Sequence, residues 1–344
     1  MSFTHYYEIG DLDKVKELIL NGADIHADNN RALYWSAGKG YLDVVKYLIE
    51  EGADINADNN RALRWSAKNG HLDVVKYLIE KGADIHAEIN EALCMSTKNS
   101  HSEIVKYLIE NKANIYTRRC YAFRYAAKNG LLDIVKYLFE KKINIHAEDD
   151  YALRWSVKEC HLKVTEYLIE NGANIHARND EALRISAKEG RLDIVKYLIE
   201  NGANIHADDD KSLRLAAQYG HLAIVKYLIE NGANIHADKA IYFATRYDHI
   251  EVVKYLIDNG ADKNQLHAND EWLLRYSSTK GYLKIVKYLV ENGANITENY
   301  NEALHRATSN SHADIADYLI DNGAFDIPLS YELYMYYHKN KSIS

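Results

Sequence analysis

Two apolar patterns alternate along most of the chain. In Leu72-Asp73-Val74-Val75-Lys76-Tyr77-Leu78-Ile79-Glu80, the residues Leu72, Val75, Leu78 and Ile79 recur at the spacing of one face of a helix. Lys81-Gly82 then stops the helix, because glycine takes a left-handed backbone without a Cβ penalty. A shorter pattern precedes it. Ala62-Leu63-Arg64-Trp65-Ser66-Ala67-Lys68-Asn69 places Leu63, Ser66 and Ala67 on one face, where small Ser and Ala let a neighbouring helix come close. Gly82-Ala83-Asp84-Ile85-His86-Ala87 reads as a short extended turn between one pair and the next.

The pair repeats. The phrase Gly-His-Leu-Asp-x-Val-Lys-Tyr-Leu anchors at Gly10, Gly40, Gly70, Ser100, Gly130, Cys160, Gly190 and Gly220, seven consecutive steps of 30 residues. Asp248 follows after 28, Gly281 after 33 and Ser311 after 30. Neither helix can bury its stripe alone, so successive pairs must stack into a continuous core. Stacking also removes a puzzle of length, since 344 residues are many for one compact core.

The phrase Gly-His-Leu-x-x-Val-Lys-Tyr-Leu followed by Gly-Ala-Asp/Asn-Ile resembles the second half of an ankyrin repeat. Ala62-Leu63 to Ser66-Ala67 stands where that family carries Thr-Pro-Leu-His-x-Ala-Ala. The resemblance implies an all-α ankyrin-repeat solenoid of about eleven helix-pair units, one domain over residues 1–339, with a tail at 340–344. Most units are three residues short of the usual 33, and the gap falls between Ala57 and Arg61 and their equivalents. This implies shortened β-hairpin fingers. Ala62 replaces the family's proline, so capping of the first helix is expected from Asp58, Asn59 or Asn60. Terminal caps are expected at 3–9 and 329–339, the second after the single proline, Pro328. Short fingers with Ala-Leu-Arg-Trp-Ser-Ala are similar to the expanded ankyrin families of giant amoeba-infecting DNA viruses.

Composition narrows the function. Net charge is −8 with a sequence pI near 6.1, so there is no cationic excess to displace counterions from nucleic acid. Cys94, Cys120 and Cys160 show neither CxxC spacing nor an even count, which argues against a disulfide framework or zinc site. The start lacks a signal peptide, and no run of about 18 apolar residues would cross a membrane. These features predict a cytoplasmic protein, in the host cytoplasm if the viral resemblance holds.

Sixteen histidines raise the question of a metal, but twelve of them fall into two columns one repeat apart. Such neighbours lie about 10 Å from each other, whereas zinc needs its ligands about 2 Å from one ion. Hydrogen bonding between units is the expected role, and no metal or other cofactor is predicted. The Arg column (Arg64, Arg124, Arg154, Arg184, Arg214, Arg275) is expected to bridge to carboxylates of the next unit, such as Glu91, Glu181 or Asp180. A ladder for an acidic ligand is its alternative. The Tyr column from Tyr47 to Tyr318 packs an apolar ring with a wet hydroxyl. No phosphate loop or strained nucleophile turn occurs, so the chain is not expected to be an enzyme. The family likeness also implies a modification, hydroxylation of an Asn in the turn. Asn56 keeps that pattern, whereas Asn264, after Lys263, departs from it.

What the resemblance implies is a non-catalytic scaffold that binds a protein partner, a host protein if the chain is viral, on its concave face. A substrate adaptor for a ubiquitin ligase is the alternative, although the residues after Ser330 are too few for an F-box. Nucleic acid and membrane are not expected partners, and the chain is expected to be a monomer. Columns that stay fixed between repeats serve stacking, so a partner is read from those that vary. Variation peaks where Thr117-Arg118-Arg119-Cys120-Tyr121 replaces Ala-Asp-Asn-Asn-Arg, and at Glu148 to Tyr151 in the next unit. The partner-binding set is therefore Arg118, Arg119, Tyr121, Arg124, Tyr151 and Arg154, residue types that dominate binding hot spots. Because the histidine columns do not converge, EDTA is expected to leave thermal unfolding unchanged; a drop of several degrees, measured by calorimetry, would show a structural metal.

Overall fold

A computed structural model of the chain describes residues 3–116, 121–236, 239–261 and 272–324. Its contacts divide the chain into two units, Met1–Ala177 and Arg178–Ser344. Each is a stack of antiparallel helix pairs. Among the described residues there are 22 helices and no strand. The first unit holds six pairs, from Phe3–Ile9 with Leu12–Leu20 to Ala147–Lys158 with Leu162–Glu170. The second holds five, ending with Glu298–Ser309 and Ala313–Asp321. The cap expected at 329–339 lies outside the described residues. At the amino-terminal end of the described residues the helix Phe3–Ile9 buries Tyr7.

The predicted faces form the core with one change of register. Ala62, Leu63, Ser66 and Ala67 are all buried on the first helix. On the second, Val74, Val75 and Leu78 are buried, while Leu72 and Ile79 are only half-buried. The second helix is clasped by the preceding and following pairs, so its apolar arc reaches Val74. Burying each Val or Leu stabilises by roughly 1.5–3 kcal/mol. The fully buried Ser66 hydroxyl donates to Leu63 O at 3.0 Å, which satisfies it within its own helix.

The expected β-hairpin finger is absent from the described residues. In its place three consecutive residues turn left-handed and run directly into the first helix. Asp58, Asn59 and Asn60 have φ of 49°, 55° and 60°, and the same trio recurs at 28–30, 88–90, 148–150, 178–180 and 208–210. A three-residue deletion leaves no room for a hairpin, and this tight turn is what closes the gap. For L-residues it costs roughly 1–2 kcal/mol per residue. The Arg column offsets that cost. Arg64 Nε donates to Asn59 O at 2.9 Å and Nη2 to Asp58 O at 2.8 Å. Arg154 repeats both bonds, to Asp149 O and Glu148 O, each at 2.9 Å. Charge-assisted bonds are worth about 1.5–3 kcal/mol each, which matches the cost of the turn. The remaining guanidinium nitrogen reaches the next repeat, as expected: Arg64 pairs with Glu91, and Arg184 with Asp208 at 3.0 Å.

The third residue of each trio does not cap its helix, contrary to expectation. It is buried, and its side-chain oxygen accepts a backbone N–H of the following repeat. Asn60 Oδ1 accepts from Asp84 N at 2.7 Å, and Asp150 Oδ1 from Asn174 N at 2.7 Å. The column of His26, His86, His146 and His206 bonds the same side chain, His146 Nδ1 lying 3.1 Å from Asp150 Oδ1. The other histidine column spans repeats through Nε2, with His71 on Gly38 O at 3.0 Å and His221 on Lys188 O at 2.9 Å. Each of these rings lies against the anchor glycine of the repeat before. At Gly190, where φ is +75°, a Cβ would sit 2.7 Å from His221 Cε1. Wherever the anchor is not glycine, at Ser100, Cys160 and Asp248, the matching residue one repeat on is Leu131, Arg191 or Tyr282 and never histidine. Gly190→Ser is therefore expected to destabilise the protein by about 2 kcal/mol, and adding His221→Leu, which copies the Ser100–Leu131 pair, to recover part of the loss. Urea unfolding checks this, and a double variant no better than the single one would refute the clash.

Candidate functional site

Three of the six predicted partner-binding residues come together in the first unit. Arg118 and Arg119 lie outside the described residues; Tyr121 begins the helix Tyr121–Lys128, and its side chain also lies outside them. Tyr151, the first residue after its left-handed trio, has two guanidinium groups near its ring. Arg124 lies 4.6 Å from the ring centroid and Arg154 5.6 Å. Both arginines are buried, and Arg124 also pairs with Glu148. Burial pushes the Tyr151 hydroxyl up, and Arg124 pulls the other way, so the phenol stays neutral as a donor or acceptor.

The cluster extends to residues that the variation between repeats did not reveal. Tyr151 stacks on Trp155 at 5.2 Å between centroids. The ammonium groups of Lys128 and Lys158 each lie 4.3 Å from the centre of the Trp155 ring. Such cation–π contacts contribute about 0.5–2 kcal/mol each. A second cluster occupies the first helices nearer the amino terminus. The Arg61 guanidinium sits 4.2 Å from the Tyr34 ring and 4.7 Å from that of Trp65. Trp35 and Trp65 stand 6.2 Å apart beside a cleft of about 390 Å³, with Gly38, Lys39, Asn69 and His71 as its other walls. A Cβ on Gly38 would lie 3.1 Å from the Trp65 ring, so the missing side chain is what opens the cleft. In the second unit the first helices Ala240–Arg246 and Trp272–Lys280 carry a separate stack, Tyr242 on Trp272 at 4.3 Å and Trp272 on Tyr276 at 4.6 Å.

The remaining candidate chemistry is absorbed by the stacking. Along the second helices a lysine of one repeat covers the tyrosine of the next, as Lys226 does Tyr255 at 5.3 Å and Lys287 does Tyr318 at 5.3 Å. Among the described residues no three His, Cys, Asp or Glu side chains gather around a metal position. Burial pushes the Cys94 thiol up to about 11, which makes it a poor nucleophile at neutral pH. Among the described residues no helix is long and apolar enough to cross a membrane.

Stacked helix pairs joined by short turns, with buried polar columns between repeats, define a helical repeat protein. Six overlapping segments (5–89, 86–149, 123–209, 153–239, 206–267 and 241–329) match the family model described as ankyrin repeats (3 copies), and the chain belongs to the ankyrin repeat family. Ankyrin repeats generally mediate protein–protein interaction and are typically non-catalytic. Among solved structures it is similar to the crystal structure of the human ASB11 ankyrin repeat domain, at 23% identity and a TM-score of 0.51. That match covers 56% of this chain and 96% of the other. No curated protein matches it.

The tyrosine column gives the protein an alkaline limit. Burial first, then the hydrogen bond to the Asp258 carboxylate and its charge, push Tyr288 up to about 12. A folded-state value above the ordinary one of about 10 means stability that is complete below pH 10 and lost as pH rises through 12. The melting temperature of the wild type is expected to fall more than that of Tyr288→Phe between about pH 9 and pH 11. Parallel falls in a thermal melt would disprove the coupling.

Proposed function

We propose that this chain is a non-catalytic scaffold that binds a protein partner on the concave face made by its first helices and the turns before them. Arg118, Arg119, Tyr121, Arg124, Tyr151 and Arg154 form the centre of that surface. The observation that carries the reading is the cluster of Arg124, Tyr151 and Arg154 with Trp155 stacked on the Tyr151 ring. Arg, Tyr and Trp are the types that dominate hot spots, because each buries large area around directional donors. Arg124 and Arg154 are bound into the fold, so their part is to hold the Tyr151 ring in place. A preset ring loses little rotamer freedom when a partner covers it. The net charge of −8 supports a protein rather than a nucleic acid as the partner. The same reading places the chain in the cytoplasm as a monomer. The resemblance in phrasing to giant-virus ankyrin families supports a host protein as the partner.

The test is the quadruple variant Arg118→Asp, Arg119→Asp, Tyr121→Ala and Tyr151→Ala, used as bait beside the wild type. Partner recovery is expected to fall by about 2 kcal/mol or more in binding free energy, with helicity retained in circular dichroism. Equal recovery by both baits would move the binding surface elsewhere on the chain.

A further inference from the structure

In the first unit, five successive first helices carry two parallel columns. One is aromatic at four places of five: Trp35, Trp65, Met95, Tyr125 and Trp155, all half-buried. The other, three residues further along each helix, is lysine at four places of five, Lys68, Lys98, Lys128 and Lys158, and Gly38 in the first helix, where Lys39 follows directly. Among the described residues only Lys128 of these faces a carboxylate, Glu159, and that is 4.0 Å away. Two of the ammonium groups crowd the single ring of Trp155, and a third, Lys39, lies 5.7 Å from the centre of the Trp35 ring. The concentration of positive charge runs against the chain's net charge of −8. It is thinner in the second unit, where Lys188 and Arg246 keep the cation but Gln218, Thr279 and Ser309 do not, and Phe243 and Tyr276 keep the aromatic ring but Ile185, Leu215 and Arg306 do not.

We infer that this face of the first unit takes an extended, acidic segment of a protein partner that carries an apolar side chain about every third residue. The inference rests on the scaffold reading above and narrows it to one partner chemistry. Charge complementarity selects the acidic segment, since a row of lysines with one carboxylate attracts anionic side chains and repels basic ones. Spacing selects the extended form. Stacked first helices lie about 10 Å apart, and an extended chain in the polyproline II form advances about 3.1 Å per residue with three residues per turn, so every third side chain returns to one face. Every third side chain therefore meets the next helix of the row, and a twelve-residue segment carries four such side chains, enough for four of the five helices. The cleft opened by Gly38 between Trp35 and Trp65 is where the largest apolar side chain would lodge. The acidic residues between anchors then lie along the lysine row, where their carboxylates replace water around the ammonium groups.

The probe is a blocked twelve-residue peptide of four Leu-Glu-Asp units, titrated into the full chain with tryptophan fluorescence as readout at about 0.15 M salt. Its counterpart has four Leu-Lys-Lys units. The acidic peptide is expected to bind at least tenfold tighter, and to lose at least tenfold in the variant Lys68→Glu, Lys98→Glu, Lys128→Glu, Lys158→Glu. The matching Lys→Gln set, which adds no new charge, is expected to fall between. Equal affinity for both peptides, or no loss in either variant with circular dichroism unchanged, would overturn the inference. So would tighter binding of an equally acidic helical peptide with leucine every seventh residue, which advances the same distance on a helix. Failure here with a partner still lost by the Arg118, Arg119, Tyr121 and Tyr151 variant would leave the scaffold reading standing and remove only this one.

Discussion

A side-chain oxygen at the third residue of each left-handed turn accepts a backbone N–H from the next repeat, and much of the stack is organised around that bond. Asn30, Asn60, Asn90 and Asp150 do this in the first unit, and Asp180 and Asp210 in the second, at 2.7–3.1 Å. All six are buried, so an unmade bond would leave a polar group out of water at a cost of about 1–3 kcal/mol. The oxygen is aimed at its donor only because the trio before the helix is left-handed. In four of the six repeats an arginine one turn later takes carbonyls of the trio, while Tyr34 and Cys94 stand there in the other two, where the turn forms without it. The hydrogen bond between repeats, made in all six, is thus the feature that goes with the left-handed turn and its buried Asn or Asp.

The number and period of the repeats, the two helices of each and the interior of their faces could all be read from the sequence. They follow from side-chain polarity at helical spacing, which a sequence displays directly. The left-handed trio could not. Asp58-Asn59-Asn60 looks like capping residues, and short polar residues both cap helices and tolerate positive φ. Ile89 is the sharpest case, a β-branched residue at φ 56° with three quarters of its surface exposed, in the repeat where Cys94 replaces the arginine. Nothing about an isoleucine announces that geometry. It is imposed by the repeat length.

The candidate surface was legible in part, for a related reason. Variation between repeats pointed to Tyr151; Arg124 and Arg154 entered the candidate set from the regular Arg column beside it, and the structure brings those three side chains together. Trp155, Trp65 and Trp35 passed unnoticed because an aromatic at helical spacing reads as core, and Lys128 and Lys158 because a lysine after a buried apolar residue reads as a solvated face. Only the stacking shows that these columns are neighbours, with ammonium groups 4.3 Å from a ring. The Gly–His pairing was present in the sequence throughout. It becomes visible only when residue i is compared with residue i+31, the offset at which one repeat's helix end meets the next repeat's helix start.

Stacking also decides where function can reside. In a repeat protein each unit contacts only its neighbours, so a position that touches the adjoining repeat is constrained twice, once from each side. The second-helix core, the anchor glycines, both histidine columns and the buried Asn or Asp belong to that class. The tyrosines of the second helix join them through the lysine of the repeat before. What remains is a narrow strip on the first helices and the two exposed residues at each turn tip. In the first unit that strip is lysine and aromatic while the tips are mainly acidic, as at Asp28, Asp58, Glu88, Glu148 and Asp149. A partner lying along the strip meets attraction on one side and repulsion on the other. The fold therefore gives the surface a polarity across its width, with one charged edge set by the lysines at the helix ends and the other by the left-handed turns.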